Sequence, residues 1–184
     1  MSSKQIQKWE KTGIPTFLVN KFGKSTISQI LINPKTGRRE EFILFQEKDF
    51  AMVFAITSDQ KVIVVRQYRP GCNDVIRELP AGGVEENENP ENAVKRELIQ
   101  ETGYTTNEIR RLGPVLYSST SNATTQGHPF LAINCEKTEE QSLDQNEDID
   151  IELIPLPEWL KKCHEEIVEP NSIAITFRAL PYLK

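Results

Sequence analysis

The sequence has few of the residues that mark disulfide-rich or zinc-binding proteins. Its 184 residues include two histidines and only three cysteines, Cys72, Cys135 and Cys163. An odd number of cysteines with no Cys-x-x-Cys pair argues against a disulfide framework and against a zinc site. Reduced thiols in a cytosolic protein are the expected alternative.

Long apolar runs and an excess of positive charge are missing too. The run 62–65 is far too short to span a bilayer, and the start of the sequence has no apolar segment typical of a secretory signal. The 22 basic and 27 acidic residues give a net charge of −5, which argues against a dedicated nucleic-acid binder. We therefore expect a cytoplasmic protein with neither membrane nor nucleic acid as its partner.

What is present is a mixture of strand-like and helix-like segments in one domain, or one domain with a small appendage. Alternating β-branched residues and turn signals predict two strand pairs, over 25–32 with 41–45 and over 50–57 with 61–68. Further strands are predicted near 112–117, 129–134 and 149–155, and helices over 157–167 and 171–180, the latter capped by Asn171 or Ser172. This mixture indicates an α+β or α/β protein with a mixed sheet.

A third helix is predicted over 90–102. Asn89 is a favourable N-cap, Pro90 suits the first helical position, and Gly103 is a natural residue to end the helix. At about 100° per residue, one arc of this helix carries Arg96, Glu97, Gln100 and Glu101.

Glu97 and Glu101 are like charges one helical turn apart, which destabilises an exposed helix by a few tenths of a kcal/mol. Either a cation or the side chain of Arg96 would relieve this repulsion. Carboxylates beside a glycine-rich loop form a site of hard oxygen ligands, suited to Mg²⁺ or Mn²⁺. Spacing alone is weak support, since such glutamate pairs are common on solvated helix faces.

The spacing of the whole segment is more informative. Gly82 is followed after five residues by Glu88 and after seven more by the run Arg96-Glu97-Leu98-Ile99-Gln100-Glu101-Thr102-Gly103-Tyr104. This pattern resembles the Nudix box, G-x5-E-x7-R-E-U-x-E-E-x-G-U, in which U is apolar. Gln100 departs from it, and Tyr104 matches the last position loosely.

Flanking segments extend the resemblance to the ADP-ribose pyrophosphatase branch of the Nudix hydrolases. These are the runs Arg66-Gln67-Tyr68-Arg69-Pro70, Glu78-Leu79-Pro80-Ala81-Gly82 and Gln145-Asn146-Glu147-Asp148-Ile149. The resemblance implies an α+β fold, an α/β/α sandwich with a mixed sheet between helices. It also implies an N-terminal antiparallel sheet over 1–48 that supports a homodimer, and a Nudix hydrolase domain over 49–184.

The resemblance further implies a set of site residues. Glu97 and Glu101, with the backbone carbonyl of Ala81, would bind Mg²⁺, with Mn²⁺ as an alternative. Arg69 would bind the diphosphate of the substrate, although a surface salt bridge is the rival interpretation.

Three further residues of the box have supporting roles. Arg96 would hold the box carboxylates in place, and Gly82 would allow a tight turn beside the metal. Glu88 would form hydrogen bonds within the loop or reach the metal through water.

Three positions depart from the family pattern. Gln100 replaces a carboxylate that helps to hold metal, Asn122 stands where a proline is common, and Gln145 stands where a glutamate acts as general base. The substitute that we expect for the base is Glu147, with Asp148 and Glu140 as fallbacks.

The reaction implied is Mg²⁺-dependent hydrolysis of a nucleoside diphosphate-linked small molecule, above all ADP-ribose to AMP and ribose 5-phosphate. Three alternatives stay open at this point. They are hydrolysis of another nucleotide sugar, nucleotide binding with weak or no hydrolysis, and the removal of modified nucleoside triphosphates.

Overall fold

Two β-sheets and three α-helices make up the regular structure of residues 6–183 in a computed structural model. The strands are β1 (Glu10–Lys21), β2 (Lys24–Ile32), β3 (Arg39–Gln46), β4 (Phe50–Thr57), β5 (Lys61–Arg69), β6 (Asp74–Glu78), β7 (Ala81–Gly83), β8 (Tyr104–Thr105), β9 (Glu108–Arg111), β10 (Leu116–Tyr117), β11 (Gln126–Lys137) and β12 (Ile149–Pro155). The helices are α1 (Pro90–Thr102), α2 (Leu156–Glu165) and α3 (Pro170–Ala179), with a short 3₁₀ helix η1 (Leu180–Tyr182).

The chain divides into two compact units. The first comprises the described residues up to Lys48 together with Tyr117–Thr125, and the second comprises Asp49–Leu116 and the described residues from Gln126 onward. The prediction of two parts, 1–48 and 49–184, placed residues 117–125 in the second part, whereas in the structure they belong to the first unit.

The first unit contains an antiparallel sheet in the order β1-β2-β3. The predicted hairpin of 25–32 with 41–45 is confirmed as β2 and β3. Strand β1 was not predicted, because Gly13, with a φ of 70°, and Pro15 interrupt the alternation expected of a strand. Its register with β2 also shifts between Thr12 and Thr16 and between Phe17 and Val19.

The second unit is built on a mixed sheet with the strand path β11-β4-β5-β12. Strand β11 runs parallel to β4, whereas β12 runs antiparallel to β5. Strand β6 extends the sheet beside β5, and β7, which precedes the loop before α1, pairs with β4.

The two faces of this sheet bury two separate hydrophobic cores. On one face α1 contributes Ala93, Val94 and Leu98, which pack with residues such as Ile63 and Phe130. On the other face the fully buried Trp159 of α2 and Ile175 of α3 pack with Phe54, Val62 and Val64. The predicted α+β fold, with a mixed sheet between helices, is confirmed.

Helix α1 has the bounds that the sequence predicted. The side chain of Asn89 accepts a hydrogen bond from the N–H of Glu91 at 2.9 Å, and Pro90 is the first helical residue. Gly103 ends the helix in the left-handed conformation, with a φ of 71°. A Cβ at this position would overlap the carbonyl oxygen of Glu139, so the glycine permits both the turn and the close approach.

Two local predictions are wrong. Of the strand predicted near 112–117 only Leu116–Tyr117 forms, because Gly113 adopts a φ of 77° and Pro114 has no N–H to donate. Helix α3 is capped by Glu169, whose carboxylate accepts the N–H groups of Asn171 and Ser172, and not by either of those residues.

All three thiols are free, and Cys135 is buried. Burial raises the pKa of the Cys135 thiol to about 12, which makes it unreactive at neutral pH. Within residues 6–183, no helix combines the length and apolar character needed to cross a membrane.

Replacing Asn89 with Ala should lower the free energy of unfolding by about 1 kcal/mol, because α1 loses its N-cap. Asn89→Ala can be compared with Asn92→Ala, an exposed position in the first turn of the same helix. The control should change stability by less than about 0.5 kcal/mol, since Ala is the better helix former. Urea unfolding followed by circular dichroism measures both. Equal stability of the two variants would contradict the assigned cap.

Candidate functional site

The acidic face of α1 lies directly against strand β7, formed by Ala81, Gly82 and Gly83. The N–H of Ala81 donates to Oε2 of Glu101 at 3.0 Å, which joins the strand to the helix. A Cβ at Gly82 would overlap the carboxyl group of Glu97. Glycine at this position therefore leaves room for the carboxylate to approach the backbone, and a larger residue would displace it.

Arg96 is the centre of a dense set of hydrogen bonds beside this strand. Its Nη1 donates to Oε1 of Glu97 at 2.6 Å and to Oε1 of Gln100 at 3.2 Å. Its Nη2 donates to the carbonyl of Gly83 at 2.9 Å. Hydrogen bonds to carboxylates raise the pKa of this guanidinium, so Arg96 is charged at every accessible pH.

Glu88 pairs with the other side of Arg96. Its two oxygens accept from Nε and Nη2 of Arg96 at 3.2 and 3.0 Å, and Oε2 also accepts from the N–H of Glu85 at 2.9 Å. The Arg96 hydrogen bond is the main cause that lowers the pKa of Glu88. Of the two alternatives left by the sequence, these contacts favour bonding within the loop over ligation through water.

Glu101 is a buried carboxylate, 3% exposed, with no cationic partner among residues 6–183. Burial raises the pKa of this carboxyl well above its ordinary value, against the opposing effect of the Ala81 N–H. The negative charges of Glu97, Glu147 and Glu78 raise it further. A positive charge placed beside Glu101 would stabilise its ionised carboxylate and offset the neighbouring negative charges.

Glu97 is less buried and has one cationic neighbour. Burial raises the pKa of its carboxyl, while the Arg96 guanidinium lowers it, and the charges of Glu147 and Glu88 raise it again. Arg96 therefore offsets only part of the negative charge on this helix face. The repulsion expected between Glu97 and Glu101 is present in the structure. The Arg96 side chain relieves part of it, as the sequence suggested, by donating to Glu97.

Glu147 comes to the same place from a distant part of the sequence. It lies in the exposed turn before β12, where its Oε2 accepts from the N–H of Asp144 at 2.9 Å. Its charge raises the pKa of both Glu97 and Glu101, so it lies within electrostatic reach of the two helix carboxylates.

The loop that carries Glu147 is hydrogen-bonded to the end of α1, mainly through the side-chain amide of Gln141. Nε2 of Gln141 donates to the carbonyl of Glu101 at 2.7 Å and to the carbonyl of Ile149 at 3.1 Å. The N–H of Ser142 adds a bond to the carbonyl of Gln100 at 2.9 Å. Both ends of the acidic loop are thus held near the C-terminal turn of α1.

Arg69 lies at the end of β5 and pairs with the buried Glu78 of β6. Its Nε donates to Oε1 of Glu78 at 2.8 Å, and its Nη2 lies 2.6 Å from the same oxygen. Burial raises the pKa of the Glu78 carboxyl, and the Arg69 charge opposes that shift. The salt bridge that rivalled phosphate binding for Arg69 is therefore present, but with a buried carboxylate and not with a surface one.

The remaining candidates lie apart from this cluster or show no contact with it. Glu140 is exposed and pairs with Lys137 at 3.5 Å. Gln145 and Asp148 are exposed residues of the Glu147 loop. Asn122 belongs to the first unit, where its carbonyl accepts from the N–H of Phe45 at 2.7 Å.

The donor set fits a hard divalent cation. Glu97 and Glu101 offer carboxylate oxygens in a partly buried place with excess negative charge, and the backbone of Ala81 adjoins Glu101. Within the part of the chain that is described, no three acidic, histidine or cysteine side chains form a ready-made metal cluster. A cation here would therefore take further ligands from the backbone, from water or from substrate phosphate, as Mg²⁺ commonly does.

Sequence reasoning missed two residues of this neighbourhood, Glu78 and Gln141. Glu78 stands out in the sequence only as part of the Glu-Leu-Pro-Ala-Gly run, and its burial opposite an arginine depends on the pairing of β5 with β6. Gln141 carries no local signal, because both of its acceptors are backbone carbonyls distant in sequence.

Comparisons with known proteins place this chain beside a family and several relatives. The family model described as NUDIX domain matches residues 47–170. An ADP-ribose pyrophosphatase of Bacillus subtilis (strain 168) is 33% identical over 157 residues, covering 84% of this chain and 80% of the relative. A methanol dehydrogenase activator of Bacillus methanolicus is 31% identical over 157 residues, covering 82% of this chain and 80% of the relative.

A solved structure described as an ADP compounds hydrolase has the same fold. It superposes with a TM-score of 0.82 over 98% of this chain and 97% of the other, at 19% sequence identity.

The raised pKa of Glu101 predicts how the metal-free protein responds to pH. Above the ordinary carboxyl value of 4.5, folded Glu101 still binds a proton that the unfolded chain has released. The folded state then binds more protons than the unfolded state, so this residue's contribution to stability is lost as pH rises. The melting temperature of Glu101→Gln, relative to that of the wild type, should therefore increase by several degrees between about pH 5 and about pH 8.

The measurement is differential scanning fluorimetry with a chelator present. Glu86→Gln, an exposed position in the loop before α1, is the matched control and should track the wild type at every pH. A difference between Glu101→Gln and the wild type that does not change with pH would contradict the raised pKa.

Proposed function

The chain belongs to the NUDIX domain family, and from this membership we propose that it hydrolyses the diphosphate bond of a nucleoside diphosphate derivative. The leading substrate is ADP-ribose, cleaved to AMP and ribose 5-phosphate. The observation that carries the proposal is the pair of carboxylates, partly buried Glu97 and buried Glu101, held against strand β7 with their charge only partly offset. The prediction of a Nudix family member is confirmed.

The cofactor that we propose is Mg²⁺, with Mn²⁺ as an alternative. Glu97, Glu101 and the backbone carbonyl of Ala81 would hold it, with Arg96, Glu88 and Gly82 supporting their geometry. A divalent ion at such a site supplies positive charge that offsets the negative charge of the phosphate oxygens. With Gln100 in place of a carboxylate, fewer negative charges are available to retain several ions at once.

Two other residues act on the substrate and on the attacking water. Arg69 binds the diphosphate through its planar guanidinium, in which two parallel N–H groups donate to two phosphate oxygens. Glu147 accepts the proton of a water whose oxygen attacks phosphorus, while the bond to the bridging oxygen breaks and the second phosphate leaves. The exposure of Glu147 and its electrostatic reach to Glu97 and Glu101 support this role. Positioning and charge neutralisation supply most of the catalysis in such a reaction.

A nucleotide-binding protein with weak or no hydrolysis is the second candidate function. It is favoured by Gln100 and Gln145, two neutral residues at positions where the family pattern has carboxylates. Gln100 accepts a hydrogen bond from Arg96 at 3.2 Å, which shows a structural use for the amide. Another nucleotide sugar as substrate is an alternative within the first candidate.

We also propose that the protein is a homodimer joined through the sheet of the first unit. That sheet exposes large apolar side chains, which in a monomer would face water. They include Ile14, Phe17, Leu18, Val19, Ile43 and Phe45, and Phe22 in the turn between β1 and β2 is exposed as well. The three free thiols support the cytoplasm as its location, which stays a prediction.

A substrate panel tests the proposed reaction. The purified protein is incubated with Mg²⁺ or Mn²⁺ and ADP-ribose, ADP-glucose, GDP-mannose, UDP-glucose, NADH or 8-oxo-dGTP, and products are identified by mass spectrometry. We expect AMP and ribose 5-phosphate to form from ADP-ribose faster than products form from any other substrate. Glu101→Gln should lower kcat at least about 100-fold, and Glu147→Gln about 10-fold or more, because each removes a charge that the reaction needs.

The control is Glu86→Gln, which should keep wild-type activity because this exposed side chain lies outside the cluster. Nucleotide binding by calorimetry without turnover of any substrate would favour the second candidate. Full activity of Glu101→Gln would refute the assigned role of Glu101.

The dimer is tested by light scattering after size-exclusion chromatography. The wild type should have twice the mass of one chain, and Val19→Asp should shift the population towards the monomer, because a charge would be buried in the interface. Asn20→Asp, at the neighbouring exposed position, should leave the mass unchanged. A wild-type protein that is monomeric at high micromolar concentration would contradict the proposal.

A further inference from the structure

Glu78 is an almost fully buried carboxylate, 2% exposed, that no step of the proposed reaction uses. In the pairing of β5 with β6 it stands opposite Val65, and directly opposed residues share a face of the sheet. Val65 and Ile63 also share a face, and Ile63 packs into the core beneath α1. Glu78 therefore lies on the face of the sheet that carries α1 with Glu97 and Glu101.

Its partner Arg69 lies on the same face, since alternate residues of β5 point to one side. Nε and Nη2 of Arg69 both contact Oε1 of Glu78, at 2.8 and 2.6 Å, so one edge of the guanidinium is engaged. The other edge, which includes Nη1, has no hydrogen-bond acceptor among residues 6–183. The Arg69 side chain is 42% exposed, so this free edge is within reach of a ligand.

A guanidinium with one edge held and the other free is prepared to bind a pair of phosphate oxygens. The held edge restricts the rotamers of a long side chain before the ligand arrives, which lowers the entropy cost of binding. We propose that Glu78 is a positioning residue, which holds Arg69 in the orientation that binds the diphosphate of the nucleotide. This inference rests on the proposed function, because it assumes a diphosphate-containing substrate.

A purely structural salt bridge is the alternative, and the chain contains a pair that shows what that would look like. Arg77 of β6 donates from Nε to Oε2 of Glu152 at 2.7 Å and from Nη2 to Oε1 at 3.2 Å. Glu152 stands opposite Val64 in β12, so this pair lies on the face of the sheet that carries α2 and α3. It joins β6 and β12, the two strands that pair with β5, whereas the Arg69–Glu78 pair joins β5 and β6.

The experiment compares Glu78→Gln with the matched control Glu152→Gln. Each keeps the shape of the side chain and removes one carboxylate charge. Glu78 pairs with Arg69, whereas Glu152 pairs with Arg77 and with Arg66, whose Nε lies 3.3 Å from Oε1 of Glu152. Steady-state kinetics with ADP-ribose and Mg²⁺ give kcat and KM, and calorimetry with the non-hydrolysable α,β-methylene analogue of ADP-ribose gives Kd. We expect Glu78→Gln to raise KM and Kd about 10-fold with kcat changed less than about 3-fold, and Glu152→Gln to change none of them more than about 2-fold.

A double-mutant cycle shows whether Glu78 acts through Arg69. Arg69→Gln alone should weaken binding, and adding Glu78→Gln to it should weaken binding no further. If Glu78→Gln fails to fold, Glu78→Asp keeps the buried charge but draws it back from Arg69, and should raise KM and Kd in the same direction.

The outcomes separate this inference from the proposed function. An active wild type with unchanged KM and Kd in Glu78→Gln, or equal effects of Glu78→Gln and Glu152→Gln, would overturn the inference alone. Additive effects of the Glu78 and Arg69 substitutions would also overturn it. A wild type that neither binds the analogue nor hydrolyses ADP-ribose would overturn the proposed function, and the inference with it.

Discussion

Repulsion among carboxylates in a place with little water is the constraint on which the candidate site depends. Glu101 is buried with no cationic side chain as partner among residues 6–183, and the charges of Glu97, Glu147 and Glu78 act on it together. A site of this kind is unfavourable for the fold in isolation and favourable for a positively charged ligand. Arg96 offsets part of the charge on this helix face but leaves Glu101 unpaired. The residual charge is what gives the site its chemistry.

The rest of the second unit maintains this unfavourable arrangement. Asn89 and Gly103 define the ends of α1, and the burial of Ala93, Val94 and Leu98 fixes which face of the helix the carboxylates occupy. Strand β7, which contains Gly82 and Gly83, pairs with β4 and lies beside that face. The burial of apolar side chains on the other face of α1 thus offsets the unfavourable free energy of the clustered carboxylates.

Local sequence signals predicted the features that depend on residues near one another in sequence. They did not predict contacts that depend on how distant strands pair. Asn89 and Gly103 gave the bounds of α1, because helix caps involve residues within about one turn. The burial of Glu78 against Arg69 follows instead from the register of β5 with β6, and the irregular register of β1 concealed that strand. The cap of α3 was misplaced because Asn and Ser are commoner caps than the Glu169 that serves there.

The two hydrogen bonds donated by Nε2 of Gln141 have a consequence for how such a site can diversify. This one side chain joins the carbonyls of Glu101 and Ile149, so it links the two ends of the acidic loop, residues 141–149, to each other and to α1. Variation in the length and composition of this loop would change Glu147 and the exposed residues around it, while Glu97 and Glu101 keep their places on α1. The base and the substrate contacts could then diversify, by evolution or by protein engineering, independently of the two helix carboxylates.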